Sequence, residues 1–309
     1  MIFNIVNNFF YSIPINFLLS LKSFFTTPEL MKRTILFWII AVVITLGGVY
    51  YQRTTGPTYP LSGKSNFSNE EISYRFERSH STSSDCPVEI KITNNMIGGK
   101  LFWKRFKTND EFSEVIMNYN DGKLQAHLPK QPSAGKLEYF VQLSEGENQI
   151  QLPESEHIIT RYKDDVPMFI LIPHIIAMFG TMLLSTRTGL EFLNPQPKLK
   201  RLTFITLFFL IIGGMILGPI TQYYAFGAFW TGFPFGTDLT DNKTFIALIG
   251  WVIALIALYK SKKPERWTLA ASILLLIVYL IPHSMFGSEL DYNKLENEKP
   301  KTNNINQLN

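Results

Sequence analysis

The sequence predicts a membrane protein: a five-helix transmembrane bundle with an inserted all-β domain outside the cytoplasm. Three observations predict it. Five apolar runs are long enough to cross a bilayer, Lys and Arg gather on alternate sides of those runs, and Gln52–Val166 alternates as strands do. A spanning helix needs about 20 mainly apolar residues, because the hydrocarbon core is about 30 Å thick and a helix rises about 1.5 Å per residue. The qualifying runs are Thr34–Tyr51, Pro167–Ser185, Leu202–Tyr223, Thr244–Tyr259 and Trp267–Phe286.

Cytoplasmic loops hold an excess of Lys and Arg. Lys32 and Arg33 precede the first run and put residues 1–33 inside. Arg187, Lys198, Lys200 and Arg201 lie between the second and third runs, and Lys260, Lys262, Lys263 and Arg266 between the fourth and fifth. Tyr224–Asn242 contains neither Lys nor Arg. Residues 52–166, the loop 224–242 and the polar tail 287–309 are therefore expected together on the outer side. The Ile, Lys and Asn usage and the lack of cysteine pairs fit a bacterium, which makes the membrane the inner membrane and the outer side the periplasm. The sequons at Asn66 and Asn242 carry weight only in a eukaryotic secretory route.

The net charge of +4 comes with basic clusters that serve topology. No basic stripe sits on a soluble fold, which argues against nucleic acid as a partner. No P-loop or dinucleotide fingerprint is present, and the inner loops are too short to house a nucleotide domain.

Met31-Lys32-Arg33 followed by an apolar run reads as the opening of an exported protein. No small-residue cleavage site follows, so the run is expected to stay as an anchor. Residues 1–30 leave two readings: a start assigned too early, with Met31 the true start, or a short amphipathic segment on the inner surface.

In the β domain Ile72–Arg78, Val88–Ile92 and Leu137–Leu143 alternate, and Leu101–Phe106 is bulky and mixed. Val115–Tyr119 and Lys123–Leu128 flank Asn120-Asp121-Gly122, a hairpin signal because these residues tolerate positive φ. Short strands separated by turn signals suggest a sandwich. The stretch Asp121-Gly122-Lys123-Leu124-Gln125-Ala126-His127-Leu128-Pro129, then Gln131-Pro132, then Gly135-Lys136-Leu137-Glu138-Tyr139-Phe140-Val141 resembles bacterial immunoglobulin-like or fibronectin-III-like domains. There a strand ends in a Pro-rich corner and the next strand carries a Tyr-rich alternation. The resemblance covers Glu71–Tyr162 and implies a binding or spacer module without enzymatic activity. Cys86 is the one cysteine, so the usual sandwich disulfide cannot form; it is read as a buried small hydrophobe. His80, His127 and His157 come with no nucleophile elbow and no His-Glu-x-x-His helix, so no catalytic residue is assigned.

Chemistry concentrates on two histidines in apolar runs: Ile172-Pro173-His174 and Ile281-Pro282-His283. Ionisable groups in a bilayer are costly and face a bundle interior or a water-filled cavity. Two imidazoles can ligate haem iron or a transition metal, bind a quinone or relay protons, and Met178 and Met285 add soft sulfur. The plainer reading is that His174 hydrogen-bonds a neighbouring helix and His283 reaches interfacial water.

The loop Phe229–Lys243 joins an aromatic half, suited to the membrane interface, to Asp238, Asp241 and Asn242. Those oxygens can coordinate a cation, or Thr240 or Asp241 can cap the fourth helix while Lys243 snorkels. Glu289 shares the outer face, so His174, His283, Asp238, Asp241 and Glu289 form a candidate metal set by common side and depth. Gly214 and Gly218 have the small-x-x-x-small spacing that allows close helix packing. Arg187 and Glu191 are spaced to pair along one helical turn. The tail has no apolar period and is expected to be disordered.

Three functional readings follow. The first is a non-enzymatic scaffold, assembly or binding component that displays its β domain to other membrane or periplasmic proteins. The second is a redox or metal-binding subunit using His174 and His283. The third is a transporter or channel component, ranked last because no ion-selective signature is present.

Overall fold

The computed structural model describes residues 30–282 and 287–298. The readings placed on residues 1–29, on His283 and on Met285 lie outside the described residues. The chain divides into two compact units. One collects the helical segments up to Arg53, Phe169–Gly218 and Asp241–Ile281; the other collects Thr54–Met168, Pro219–Thr240 and the segment from Pro282 onward.

The helical segments are α1 (Leu30–Thr55), α2 (Met168–Gly189) with a 3-10 turn (Leu190–Leu193), and α3 (Leu199–Leu210). A π-helix (Ile211–Leu217) and α4 (Gly218–Phe226) follow, then α5 (Leu239–Lys260), α6 (Pro264–Leu280) and α7 (Tyr292–Glu298). Among the described residues, four helical stretches are long and apolar enough to cross a membrane: Lys32–Thr55, Met168–Leu193, Leu199–Phe226 and Leu239–Lys260. The sequence predicts a fifth over Trp267–Phe286. The helix there is α6, with 17 residues, and it stops at Leu280.

That early stop has a local cause. Ile281 is extended, as suits a residue before proline. The last carbonyls of α6 are taken up by side chains from α1 and α5. Gln52 Nε2 donates to the Tyr279 carbonyl, Tyr51 Oη donates to Leu280 at 3.0 Å, and Lys243 Nζ donates to Ile281 at 2.8 Å. An ammonium suits the negative end of a helix dipole. Lys243 is 8% exposed, so its role differs from the snorkelling expected of it.

Within the helical unit, α5 presents Ala247, Trp251, Ala254 and Ala257 to a shared core, and α6 presents Trp267, Ala271, Leu275 and Val278. Small residues let helix backbones approach, which matters where lipid removes the hydrophobic drive. A Cβ on Gly250 would sit 2.6 Å from Leu274 Cδ2, and one on Gly214 would sit 2.6 Å from Thr244 Cγ2. At its end α2 turns into the 3-10 segment over an ion pair. Arg187 Nη1 lies 2.6 Å from Glu191 Oε1, with side chains 4% and 1% exposed. The guanidinium also covers the rings of Phe37 and Trp38. Glu191 accepts Asn194 Nδ2 at 3.0 Å and the Lys198 N–H at 2.7 Å, which folds the loop into α3. The sequence spacing anticipates this pair but not its burial.

The second unit is built on eleven strands: β1 (Leu61–Phe67), β2 (Glu70–Phe76), β3 (Ser79–Ser81), β4 (Cys86–Lys91), β5 (Gly98–Arg105) and β6 (Ser113–Ile116), then β7 (Asn118–Asn120), β8 (Lys123–Leu128), β9 (Lys136–Glu145), β10 (Asn148–Leu152) and β11 (Ile158–Lys163). One sheet has the order β1-β2-β4-β8-β7. The other has β3-β11-β9-β5-β6, with β10 added to β9. Both sheets feed one core. Ile72, Phe76, Val88, Ile90, Leu124 and Leu128 come from the first sheet, and Leu101, Leu137, Tyr139, Val141, Leu143 and Ile158 from the second. The expected β9 alternation is present: Leu137, Tyr139, Val141 and Leu143 are each at most 1% exposed.

The expected hairpin turn is present too. Asn120 pairs with Lys123 across Asp121 and Gly122. Both turn residues have positive φ, the region a two-residue hairpin of this kind requires. The strand before it is not one strand. β6 pairs with β5 in one sheet, Met117 turns into the core with its N–H on the Gly99 carbonyl, and β7 pairs with β8 in the other sheet. Periodicity alone cannot show a strand that changes sheets, because it does not say which neighbour each stretch of backbone pairs with.

Cys86 is fully buried in this core, as expected. Burial, helped by the Glu77 charge, pushes its thiol up to about 12, which keeps it protonated and unreactive at neutral pH.

Of the tail 287–309, which is expected to be disordered, the structure describes 287–298. Tyr292 is 6% exposed, and its hydroxyl donates to Gln131 Oε1 at 3.0 Å or to the Lys136 carbonyl at 3.2 Å. The Leu290 N–H donates to the Ala134 carbonyl. A polar segment without apolar period can still be fixed when one aromatic ring and a few backbone groups find partners.

Candidate functional site

In the helical unit one further polar feature is His174. Its Nδ1 lies 3.0 Å from the Gly213 carbonyl. A carbonyl only accepts, so the ring proton sits on Nδ1 and the lone pair of a neutral ring sits on Nε2. Gly213 belongs to the π-helix, and its carbonyl also receives the Gly218 N–H. π-Helical turns are rare and cluster at functional sites. Here the Gly213 carbonyl accepts both the Gly218 N–H and the His174 ring.

The glycines explain why this contact is possible. A Cβ on Gly213 would meet Ala177 Cβ at 2.9 Å and Met178 Sδ at 3.0 Å, and a Cβ on Gly218 would lie 3.7 Å from His174 Cε1. On the other side of Met178, its carbonyl accepts the Tyr279 hydroxyl at 2.7 Å. Sequence reasoning finds His174, Gly214 and Gly218 but not the π-helix that joins them. The signal in the sequence is the Gly213-Gly214 pair in mid-span, followed by Pro219.

In the second unit the polar feature is a node around Ser288. Asp238 Oδ2 accepts the Ser288 N–H at 2.8 Å, the Ser288 hydroxyl at 3.1 Å and the Thr231 hydroxyl at 3.2 Å. Asp238 Oδ1 accepts the Thr240 N–H at 2.7 Å. Asp238, one residue before Leu239, therefore caps the second helical N–H of α5. The Ser288 carbonyl accepts Arg161 Nη2. Arg161 is 7% exposed, and its guanidinium lies over the Phe226 ring at 4.1 Å. Burial pulls that guanidinium down to about 10, against the opposing charges of Asp238 and Glu289, so it stays charged at neutral pH.

Glu289 lies beside the node. Its carboxylate takes Lys136 on one oxygen and Lys107 on the other, the latter at 2.8 Å. Burial alone would raise it, but the hydrogen bonds and charges of these two lysines hold it below the usual carboxylate range. Asp238 and Glu289 thus spend their lone pairs on protein donors.

The outward side of β5 and β9 carries a third arrangement, an aromatic group. Phe102 stacks on Phe140 at 5.0 Å, His157 stacks on Phe140 at 4.9 Å, and Phe112 meets both Phe140 and His157 edge-on. His157 Nδ1 lies 2.6 Å from Glu138 Oε1. At the neighbouring edge Ile116 is 70% exposed.

Of the five residues expected as a metal set, His174 and Asp241 fall in the helical unit and Asp238 and Glu289 in the β unit, while His283 lies outside the described residues. Among the described residues, no group of three or more His, Cys, Asp or Glu side chains is placed to hold a metal ion. No protein-family model matches the chain, and no curated protein matches it either.

Proposed function

We propose that this chain is a multi-pass bacterial inner-membrane protein that displays an immunoglobulin-like β-sandwich in the periplasm. It acts there as a non-enzymatic scaffold or binding component for other envelope proteins. One observation carries this reading. The three segments that the distribution of Lys and Arg predicts for the outer side are the β domain, the loop after α4 and the segment after α6. All three meet in one compact unit, through Asp238, Ser288 and Arg161. In this reading α6 is the fifth crossing; its 17 residues are enough for a crossing with little tilt. A displayed sandwich whose loops lack a catalytic grouping suits recognition, and the aromatic group of β5 and β9 with Ile116 offers the contact face. The rings of Phe102, Phe112 and Phe140 are half-buried, and aromatic residues are enriched at protein interfaces.

The test is photo-crosslinking in intact cells from a probe placed at Ile116. The reading predicts one dominant protein adduct that Phe112→Ser abolishes while the folded protein accumulates normally. A probe that yields no adduct, or adducts indifferent to Phe112→Ser, counts against a binding role for this face.

A further inference from the structure

We propose that the His174 face of α2 binds a soft monovalent metal ion, Cu(I), through His174 Nε2 and the Met178 thioether. This goes beyond the scaffold reading and uses residues of the helical unit alone.

His174 and Met178 stand at i and i+4. On a helix this spacing brings Cβ atoms to about 6 Å on one face, the arrangement by which two side chains of a single helix grip one metal ion. The orientation of the imidazole is already set. Metal-ligating histidines donate their second ring N–H to a carbonyl or carboxylate, which fixes the tautomer. His174 does this with the Gly213 carbonyl at 3.0 Å, and so presents Nε2 as the ligating atom. The sulfur is set against the same π turn. A Cβ on Gly213 would lie 3.0 Å from Met178 Sδ and one on Gly214 would lie 3.8 Å away, so the thioether rests over backbone that only glycine leaves bare. The Tyr279 hydroxyl holds the Met178 carbonyl from the other side. Imidazole orientation and thioether placement thus depend on one irregular segment, Ile211–Leu217.

The donor set selects the ion. Thioether and imidazole favour Cu(I), whereas Mg(II), Ca(II) and Mn(II) need oxygen ligands, and structural Zn(II) needs four ligands including thiolate or more imidazole. The absence of a His, Cys, Asp and Glu grouping among the described residues argues against the harder ions and leaves a nitrogen–sulfur site untouched. Cu(I) also accepts low coordination numbers, so an imidazole and a thioether from one helix would supply two of its few ligands. Met182 continues the same face, but its methyl is committed to packing: a Cβ on Gly48 would collide with Met182 Cε. It supplies an internal control, a buried methionine on the same face that is not a ligand.

The test uses the full chain in lipid nanodiscs, titrated anaerobically with Cu(I) against a chromophoric Cu(I) chelator. The wild type is expected to take up one equivalent. Met178→Leu, near-isosteric, and His174→Phe are each expected to weaken uptake at least about tenfold, a loss in the range that disturbed metal sites show. Met182→Leu should bind as the wild type does, and X-ray absorption of the loaded wild type should show a Cu–S bond absent from Met178→Leu. Thermal melts and size-exclusion profiles of each variant show that it is folded. Failure of the wild type to compete with the chelator overturns the proposal, as does equal uptake by wild type, Met178→Leu and His174→Phe. Loss of uptake in Met182→Leu as large as in Met178→Leu would overturn the assignment of Met178 as the sulfur ligand.

Discussion

Asp238 accepts the backbone N–H of Ser288 at 2.8 Å and, through its other oxygen, the N–H of Thr240 at 2.7 Å. One carboxylate therefore caps α5 and fixes the segment that follows α6. Hydrogen bonds to a charged acceptor contribute about 1.5–3 kcal/mol each when buried, and an N-cap about 1 kcal/mol. Asp238→Ala is expected to destabilise the β unit by about 2 kcal/mol. Hydrogen exchange reads it most directly: the Ser288 and Leu290 amides should exchange markedly faster, while the β9 amides should be unchanged.

Glu289 makes the same segment sensitive to acid. Its carboxyl is held below the ordinary value of 4.5 by Lys107 and Lys136, despite burial that works the other way. A carboxylate with a depressed folded pKa contributes stability that is present above its unfolded value and is lost as pH falls through the folded one. The docking of 287–292 should therefore weaken as pH drops below about 4.5. Glu289→Gln should remove that part of the pH dependence and leave a weaker docking at neutral pH. Tyr292 fluorescence quenching in a protein with other tyrosines is hard to isolate, so limited proteolysis at Lys294 across pH is the better measure.

Cys86 should be silent in the folded state. With its thiol pushed up to about 12 and its side chain fully buried, thiolate is negligible at pH 8. Iodoacetamide at pH 8 is expected to leave Cys86 unmodified in native protein and to modify it fully in denaturant, as followed by intact mass.

The Arg187–Glu191 pair should be far more costly to break than a surface pair. Removing one partner of a buried ion pair costs about 3–5 kcal/mol, because the other charge stays buried without compensation. Glu191→Ala should sharply lower the thermal stability of the detergent-solubilised protein. Arg187→Met in the Glu191→Ala background should recover part of the loss, and a double-mutant cycle gives the coupling.

The sequence carried much of the architecture, for identifiable reasons. The four long apolar helices among the described residues follow from runs of apolar residues, which are written residue by residue. The alternation of Leu137, Tyr139, Val141 and Leu143 and the turn at Asp121-Gly122 are local for the same reason. What escaped the sequence is non-local. The end of α6 is set locally by Ile281 before Pro282, but the side chains that take up the carbonyls there, Gln52 and Lys243, come from other helices. The change of sheet at Met117 depends on which neighbour each backbone stretch pairs with. The contact of the π-helix with His174 joins residues far apart in the chain, and the segment after α6 is held by Tyr292 on Gln131 and Lys136. None of these partners is within a helical turn or a strand repeat of the residue it fixes. His174, Asp238 and Glu289 were visible as residue types, while the partners that the structure gives them were not.

The central claim is that the β domain, the loop after α4 and the segment after α6 occupy one side of the membrane, opposite the basic loops. Single cysteines at Glu147, Thr237, Asn293 and Lys262, introduced one at a time with Cys86 left in its buried place, test it with a membrane-impermeant maleimide on intact spheroplasts. The account predicts labelling at 147, 237 and 293 without permeabilisation, and at 262 only after it. Labelling of 237 or 293 only after permeabilisation, while 147 labels freely, would contradict it.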